Sequence, residues 1–561
     1  MKGSEALIQS LMKEGVKHMF GILGGSILEV YDVLYDIDKN DLRHVLMRHE
    51  QCAAHAAEGY AKATGKVGVC MATSGPGATN LVTGIADAHS DSTPMVAITG
   101  QVAVSSIGND AFQEADIVGI TMPITKHNFQ ITDPDKIASS VKAAFMIASS
   151  RRQGPVLIDL PKDVQQKQLE RKFEYPKEVT MPGYKIVVSG GHPNQLKEAA
   201  GMLINAERPV MLAGGGVILA NAGRELISLA ESLNIPVTST LMGKGSLPEN
   251  HPLALGMVGM HGRKAANLMV SESDVLFAIG CRFSDRITAN PKHFAPEAKV
   301  IHADIDSAEI GKNVRVDVPI VGDAKLILQN IKALTDKLKA KKKTAWQEKL
   351  NKFKREYAPF YDYKPIKPQR VMKELNTLLD DKTIITTEVG QCQMWSAHYL
   401  NVKHPRNFIT SGGLGTMGAG FPMAIGAKIA RPECKVIDVG SEGSFLMTGQ
   451  DMATCVVEDI PVTVVLLDNR YLGMVKQWQD LFYNHRYSHT YLGESPDFVK
   501  YADAFGAEGI LVEKPSEIKE ALKKAVKSKK PYIVDIRVDP HECTLPMVPP
   551  AGRIDQMIEK K

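Results

Sequence analysis

The sequence predicts an α/β protein of three domains, each a parallel sheet flanked by helices. Three observations carry that expectation. Short β-rich runs alternate with helical patterns along the whole chain, as in open parallel sheets. The apolar runs lead into glycine-rich or polar turns. And 561 residues are too many for one hydrophobic core.

In chain order, a helical pattern begins almost at once, over residues 5–12, so no signal or transit segment is expected. Runs at 67–73, 95–99 and 156–160 read as buried strands of a first block, 1–165. A polar, basic stretch from 165 to 185 reads as a linker. The second block, 186–334, has its first strand at 209–213. Segment 335–367 reads as a linker, with a Lys-rich, solvated helix over 337–354. The third block, 368–545, begins with a strand at 383–387, and 546–561 forms a tail. Apolar content of 44% and charged content of 23% are ordinary for a soluble globular protein. The net charge of +4 is spread out and makes no case for nucleic acid. Seven cysteines without a C-x-x-C pair argue against a zinc site or a disulfide framework. They fit a reducing cytoplasm. No apolar run reaches membrane-spanning length.

The most informative segment is Asp438-Val439-Gly440-Ser441-Glu442-Gly443-Ser444-Phe445, followed by an apolar strand that ends in Asp468-Asn469. An acid in a glycine turn and an amide at a later strand end can hold one hard cation, and the glycines let backbone N–H groups approach a phosphate. Magnesium suits such a site, since it binds through a few protein oxygens and completes its shell with phosphate and water. Two ordinary βα turns explain the segment as well when it is read alone. In the first block, Arg48-His49-Glu50-Gln51 precedes an alanine-rich helix, and Thr73-Ser74-Gly75-Pro76-Gly77-Ala78-Thr79-Asn80 follows. An acid at a helix start is by itself a partner for the helix dipole. Gly214-Gly215-Gly216 after an apolar strand is weak evidence for a dinucleotide.

Together these segments resemble the thiamine diphosphate (ThDP) enzymes, whose signature is Gly-Asp-Gly followed by Asn-Asn; here it is Ser441-Glu442-Gly443 and Asp468-Asn469. Further phrases are similar to acetolactate synthase in particular: Thr99-Gly100-Gln101-Val102, Asp110-Ala111-Phe112-Gln113-Glu114, the run from Gly154 to Val164, Gly280-Cys281-Arg282-Phe283 and Leu472-Gly473-Met474-Val475-Lys476-Gln477-Trp478. The resemblance implies a pyrimidine-binding domain, an FAD-binding domain and a diphosphate-binding domain, in that order. It implies ThDP-dependent decarboxylation of pyruvate and transfer of the two-carbon unit to a second 2-oxo acid, pyruvate or 2-oxobutyrate, in branched-chain amino acid biosynthesis. Another ThDP–FAD enzyme of 2-oxo acids, such as a pyruvate oxidase or a different carboligase, and a non-catalytic paralogue are the alternatives.

Residue by residue, the resemblance implies that Glu50 acts on the pyrimidine nitrogen, that Phe112, Gln113 and Lys162 border the substrate entrance, and that Trp478 favours 2-oxobutyrate. It implies ThDP contacts from Gly25, Gly75, Pro76, Asn80, Gln391, Cys392, Gly415, Met417, Gly443, Ser444 and Met474. Glu442, Asn469 and Tyr471 would hold Mg²⁺. FAD would lie on Arg152, Gly214, Gly215, Gly216, Thr240, Leu241, Met260, His261, Gly280, Arg282, Arg286, Asp304, Ile305 and Asp323. A homodimer or homotetramer is implied, with room for a separate regulatory small subunit. The chain departs from the family pattern at Leu23 and Ala103, where proline is usual, at Cys392, where histidine is common, and at Glu442, where aspartate is usual.

Overall fold

The computed structural model describes residues 1–338, 343–358, 366–494 and 496–559. Their strands form three six-stranded sheets, parallel throughout. The first holds β1 (His18–Ile22), β2 (Arg43–Leu46), β3 (Gly68–Ala72), β4 (Met95–Gln101), β5 (His127–Gln130) and β6 (Pro155–Pro161), ordered β2-β1-β3-β4-β6-β5. The second holds β7 (Pro209–Ala213), β8 (Val237–Ser239), β9 (Ala254–Met257), β10 (Val275–Ile279), β11 (Lys299–Asp304) and β12 (Val318–Val321), ordered β12-β11-β10-β7-β8-β9. The third holds β13 (Thr383–Thr387), β14 (Phe408–Ile409), β15 (Lys435–Gly440), β16 (Thr463–Asp468), β17 (Glu508–Val512) and β18 (Tyr532–Arg537), ordered β14-β13-β15-β16-β18-β17.

The first and third sheets therefore share one topology. The middle sheet has the doubly wound order of dinucleotide-binding folds, whose ligands sit where the strand order reverses. That point lies between β7 and β10. Strands β3, β4, β6, β7 and β10 are buried along their whole length, because helices cover both faces; that is why they read as unbroken apolar runs. The expected first helix spans Gly3–Lys13 and the alanine-rich one Glu50–Thr64.

One expectation needs correcting. The Lys-rich helix, Thr344–Glu356, is docked and not simply solvated: Trp346, Leu350 and Phe353 are buried, and the Trp346 indole N–H donates to the Pro209 carbonyl at 3.0 Å. Three apolar residues at helical spacing inside a lysine run make an amphipathic stripe. Residues 339–342 and 359–365 of that linker, and 560–561 of the tail, lie outside the described residues.

The helix Glu50–Thr64 packs against Gly420–Ala430 of the third domain. A Cβ on Gly59 would stand 2.2 Å from the Met423 carbonyl oxygen, and one on Gly426 only 1.8 Å from that of Ala56. The alanines serve this close approach. Because Ala56 meets Gly426 and Gly59 meets Met423, the two helices run antiparallel. Lys62, near the far end, donates to the Thr410 carbonyl at 2.7 Å. At the α-helical rise, Glu50 stands about 18 Å along the axis from Lys62. No helix among the described residues is long and apolar enough to cross a membrane.

Candidate active site

The turn after β15 places Glu442 at the start of a short helix, Glu442–Phe445. Its carboxylate is 4% exposed, yet neither oxygen has a hydrogen-bond partner. Burial, and then the nearby charge of Asp468, push it up to about 8. A buried carboxylate without a partner is costly, and a cation removes that cost. Asn469 follows the end of β16; its Oδ1 accepts from the Tyr471 N–H at 3.0 Å and its Nδ2 donates to Gln391 Oε1 at 3.2 Å. Gln391 in turn donates to Gln477 Oε1 at 2.8 Å. Glu442, Asn469, Tyr471 and Gln391 thus form one cage, with Gly443 and Ser444 at its edge. Its oxygen donors fit magnesium.

Ser444 shows a residue that sequence reading missed. Its hydroxyl donates to Glu388 Oε2 at 2.5 Å. Glu388 is fully buried and also accepts from the Gly418 N–H at 2.8 Å and the Phe421 N–H at 2.9 Å. It ties β13 to the start of the helix Gly420–Ala430, immediately after the glycine segment holding Gly415 and Met417. Only the general signal of an acid near a helix start pointed to it, and that helix begins 32 positions further on in the chain.

A second cluster lies at the end of the first sheet. Glu50 Oε2 accepts from Asn80 Nδ2 at 2.9 Å, which leaves Oε1 facing Gly77. Gly75 backs onto the Gln113 carbonyl. Gly25 and Pro76 are exposed on this face, as is Lys162 at the start of the helix Lys162–Gln166. Phe112 is 87% exposed.

The third group surrounds a cavity of about 970 Å³ in the middle domain. Gly215, Gly216 and Gly280 line it at the point where the strand order reverses, together with Arg152, Thr240, Leu241, Met260, His261, Arg282, Arg286, Asp304, Ile305 and Asp323. Gly214 lies against the wall: a Cβ there would stand 1.9 Å from the Gly280 carbonyl oxygen. Arg152 pairs with Glu309 at 2.8 Å and Asp306 at 3.2 Å. The His261 ring is buried, pushed down to about 4, and its Nδ1 has no partner. Burial pushes Asp304 up to about 6. The same cavity reaches Gly415, Met474 and Trp478 of the third domain, so the middle domain opens onto the glycine segment. Arg152, Arg282, Arg286 and His261 beside a glycine-built turn suit a ligand that carries phosphate.

One expected contact lies elsewhere. The Cys392 thiol is 1% exposed, packed in the core and directed at the Glu388 carbonyl, 3.6 Å away. Burial raises its pKa, so it offers no thiolate. The Glu50 cluster is also not joined to the other two, because it occupies the opposite end of the antiparallel helix pair from Gly415.

Three thiamine pyrophosphate enzyme domains match the chain: the N-terminal TPP binding domain over residues 1–120, the central domain over 196–331 and the C-terminal TPP binding domain over 388–536. They define the class as that of the three-domain thiamine pyrophosphate enzymes. Among curated relatives, the probable acetolactate synthase large subunit of Methanocaldococcus jannaschii is 56% identical over 100% of this chain and 95% of its own length. The acetolactate synthase of Mycobacterium leprae is 47% identical over 99% and 90%. The acetolactate synthase large subunit of Haemophilus influenzae is 44% identical over 100% and 98%. The chain belongs to the acetolactate synthase family and is a ThDP-dependent enzyme.

Proposed function

We propose that the chain is the catalytic subunit of a biosynthetic acetolactate synthase, with Mg²⁺ on Glu442, Asn469 and the Tyr471 backbone, FAD in the middle cavity, and ThDP between two copies of the chain. The observation that carries this reading is the separation of the two half-sites. Glu50 cannot reach the segment holding Gly415 in its own chain, whereas a second copy can supply it. A homodimer is the minimum, and the exposed Phe112, Leu23 and Met122 on one side and Leu414, Met447 and Val475 on the other are surfaces such pairing would cover. The large-subunit names of relatives favour a regulatory small subunit as well. A cytoplasmic setting suits the enzyme.

ThDP, when bound, supplies the electron sink for decarboxylation and the carbon that attacks the acceptor. Glu50 shares a proton with the pyrimidine nitrogen it meets, and Asn80 holds its other oxygen in place. The Gly415 carbonyl would accept from the cofactor's exocyclic amine, and Met417 would pack against the bound cofactor. Gln113 donates its amide N–H to the substrate carboxylate, while Phe112 and Lys162 border the mouth. Met474 and Trp478 bound the acceptor side, where the indole excludes water that would protonate the reacting carbon. Arg152, Arg282 and Arg286 would hold FAD in the middle cavity, where it would serve a structural role.

The test is product analysis with ThDP, Mg²⁺, FAD, pyruvate and 2-oxobutyrate. Acetohydroxybutyrate in excess of acetolactate is the expected result. Bleaching of the flavin during turnover with pyruvate alone would turn the reading to an oxidase, and no condensation product with all cofactors bound would overturn it.

A further inference from the structure

Beneath the glycine segment lies a buried charge network that none of the roles above uses. Asp87 belongs to the helix Val82–Ser90, which Asp91 caps one turn later; Glu58 and Lys62 stand one turn apart on Glu50–Thr64. Lys62 Nζ lies 2.7 Å from Asp91 Oδ2 and 2.8 Å from Glu58 Oε1. Asp91 accepts from the N–H groups of Gly412 and Gly413, at 3.0 and 2.7 Å. Asp87 Oδ1 accepts from the Ser411 hydroxyl at 2.7 Å. Ser411 Oγ itself accepts from the Gly415 N–H at 3.1 Å and the Thr416 N–H at 2.8 Å. A hydroxyl has one hydrogen, so with two N–H groups pointing at its oxygen Ser411 must direct that hydrogen to Asp87.

Asp87, Glu58 and Ser411 are at most 1% exposed. Three buried carboxylates around one lysine and His55 are a costly way to join two helices, which apolar residues would join as well. Two of the carboxylates spend their hydrogen bonds on three consecutive positions of one loop, 411–413. Burial, then the charges of Glu58 and Asp91, push Asp87 up to about 9.

We propose that Asp87, acting through Ser411, is a positioning residue: it fixes the turn at Gly415 so that the carbonyl meets the exocyclic amine of the cofactor, while Asp91 and Lys62 clamp the start of the same loop. This rests on the reading that segment 411–417 receives the pyrimidine. It gives the helix Glu50–Thr64 two duties, one at each end: its first residue serves a site completed by another copy, and its last turn shapes the site of its own chain.

The experiment compares Asp87→Ala, Asp87→Asn and Ser411→Ala in the full-length enzyme. Amide hydrogen exchange is read over 411–416 without cofactor, and exchange of the C2 proton of bound ThDP is followed alongside kcat and KM. Asp87→Ala and Ser411→Ala should slow C2-proton exchange and kcat together by ~10–100-fold with KM for pyruvate within ~2-fold, as expected for a misplaced group and not for lost binding. The amides of Gly415 and Thr416 should lose protection in both variants. Asp87→Asn keeps the acceptor oxygen and should stay within ~3-fold of the wild type. Combining Asp87→Ala with Ser411→Ala should cost no more than either alone, since both cut one linkage. Unchanged C2 exchange in Ser411→Ala, or an Asp87→Asn as impaired as Asp87→Ala, overturns the proposal. If Asp87→Ala does not fold, Ser411→Ala decides. Failure of the wild type to bind ThDP or to exchange its C2 proton would instead sink the cofactor reading.

Discussion

The first and third sheets have the same strand order, yet the ends that carry chemistry are unlike. In the first domain Glu50 is itself 9% exposed, while Phe112 is 87% exposed and Met122 65%. The third domain buries its polar groups, with Glu442 4% exposed, Asn469 6% and Glu388 fully buried, while its Leu414, Met447 and Val475 are exposed. One topology has produced an acid held by Asn80 and, separately, a buried cluster of oxygen donors. Neither half suffices, and the antiparallel helix pair keeps them apart within one chain. With ThDP between two copies, as proposed, assembly becomes part of the active site.

The most severe break of that comparison is Glu50→Gln. It should lower kcat by at least ~10²-fold, the scale of a lost acid–base group, with ThDP still bound. Glu442→Ala should weaken Mg²⁺ activation by at least ~10–100-fold, a loss that changes to residues merely hydrogen-bonded to metal ligands already cause. Mixed and reassembled, these two inactive variants should recover roughly a quarter of wild-type activity, because random pairing in a two-fold dimer leaves one intact site in half of the pairs. No recovery in the mixture, with hybrid dimers confirmed by mass spectrometry, would mean that each chain builds its site alone.

Gly426→Ala attacks the spacer between the halves. Its Cβ would meet the Ala56 carbonyl oxygen, and denaturant unfolding should show a loss of about 3 kcal/mol. Trp478→Leu sharpens the comparison on the acceptor side: competition between 2-oxobutyrate and pyruvate should shift toward pyruvate by ~10-fold, the worth of one apolar contact in a pocket.

The smallest expected effect is on pH stability. His44, His261 and His398 are pushed down from 6.5 to about 4, 4 and 3, chiefly by burial. Their rings stay neutral in the fold, whereas the unfolded chain protonates below its ordinary value. Their contribution is therefore intact above about pH 6.5 and falls as pH drops toward 4. The thermal midpoint should decline over that window, and more shallowly in His44→Gln; an equal slope would remove His44 from the account.

The elements were legible from local pattern because strands buried on both faces read as apolar runs, and strands β7 and β13 lie where the sequence placed them, at Pro209–Ala213 and Thr383–Thr387. The glycine turn with Glu442 and the later Asn469 was legible for the same reason: each sits at a strand end, and the two come together through the parallel pairing of β15 and β16. The docked face of Thr344–Glu356 was hidden by its lysines. The direction of the Cys392 thiol was hidden as well, since a motif gives a position and not a rotamer.

By itself the sequence determined the family, the three sheets and the residue types available for chemistry, because these depend on local periodicity and short motifs. Only the tertiary structure decided that Glu50 faces away from its own glycine segment, that Glu442 is buried without a partner, and that Asp87 reaches Ser411 across 324 positions of chain. Those facts depend on how helices cross and which charges lose water, and no spacing along the chain encodes either.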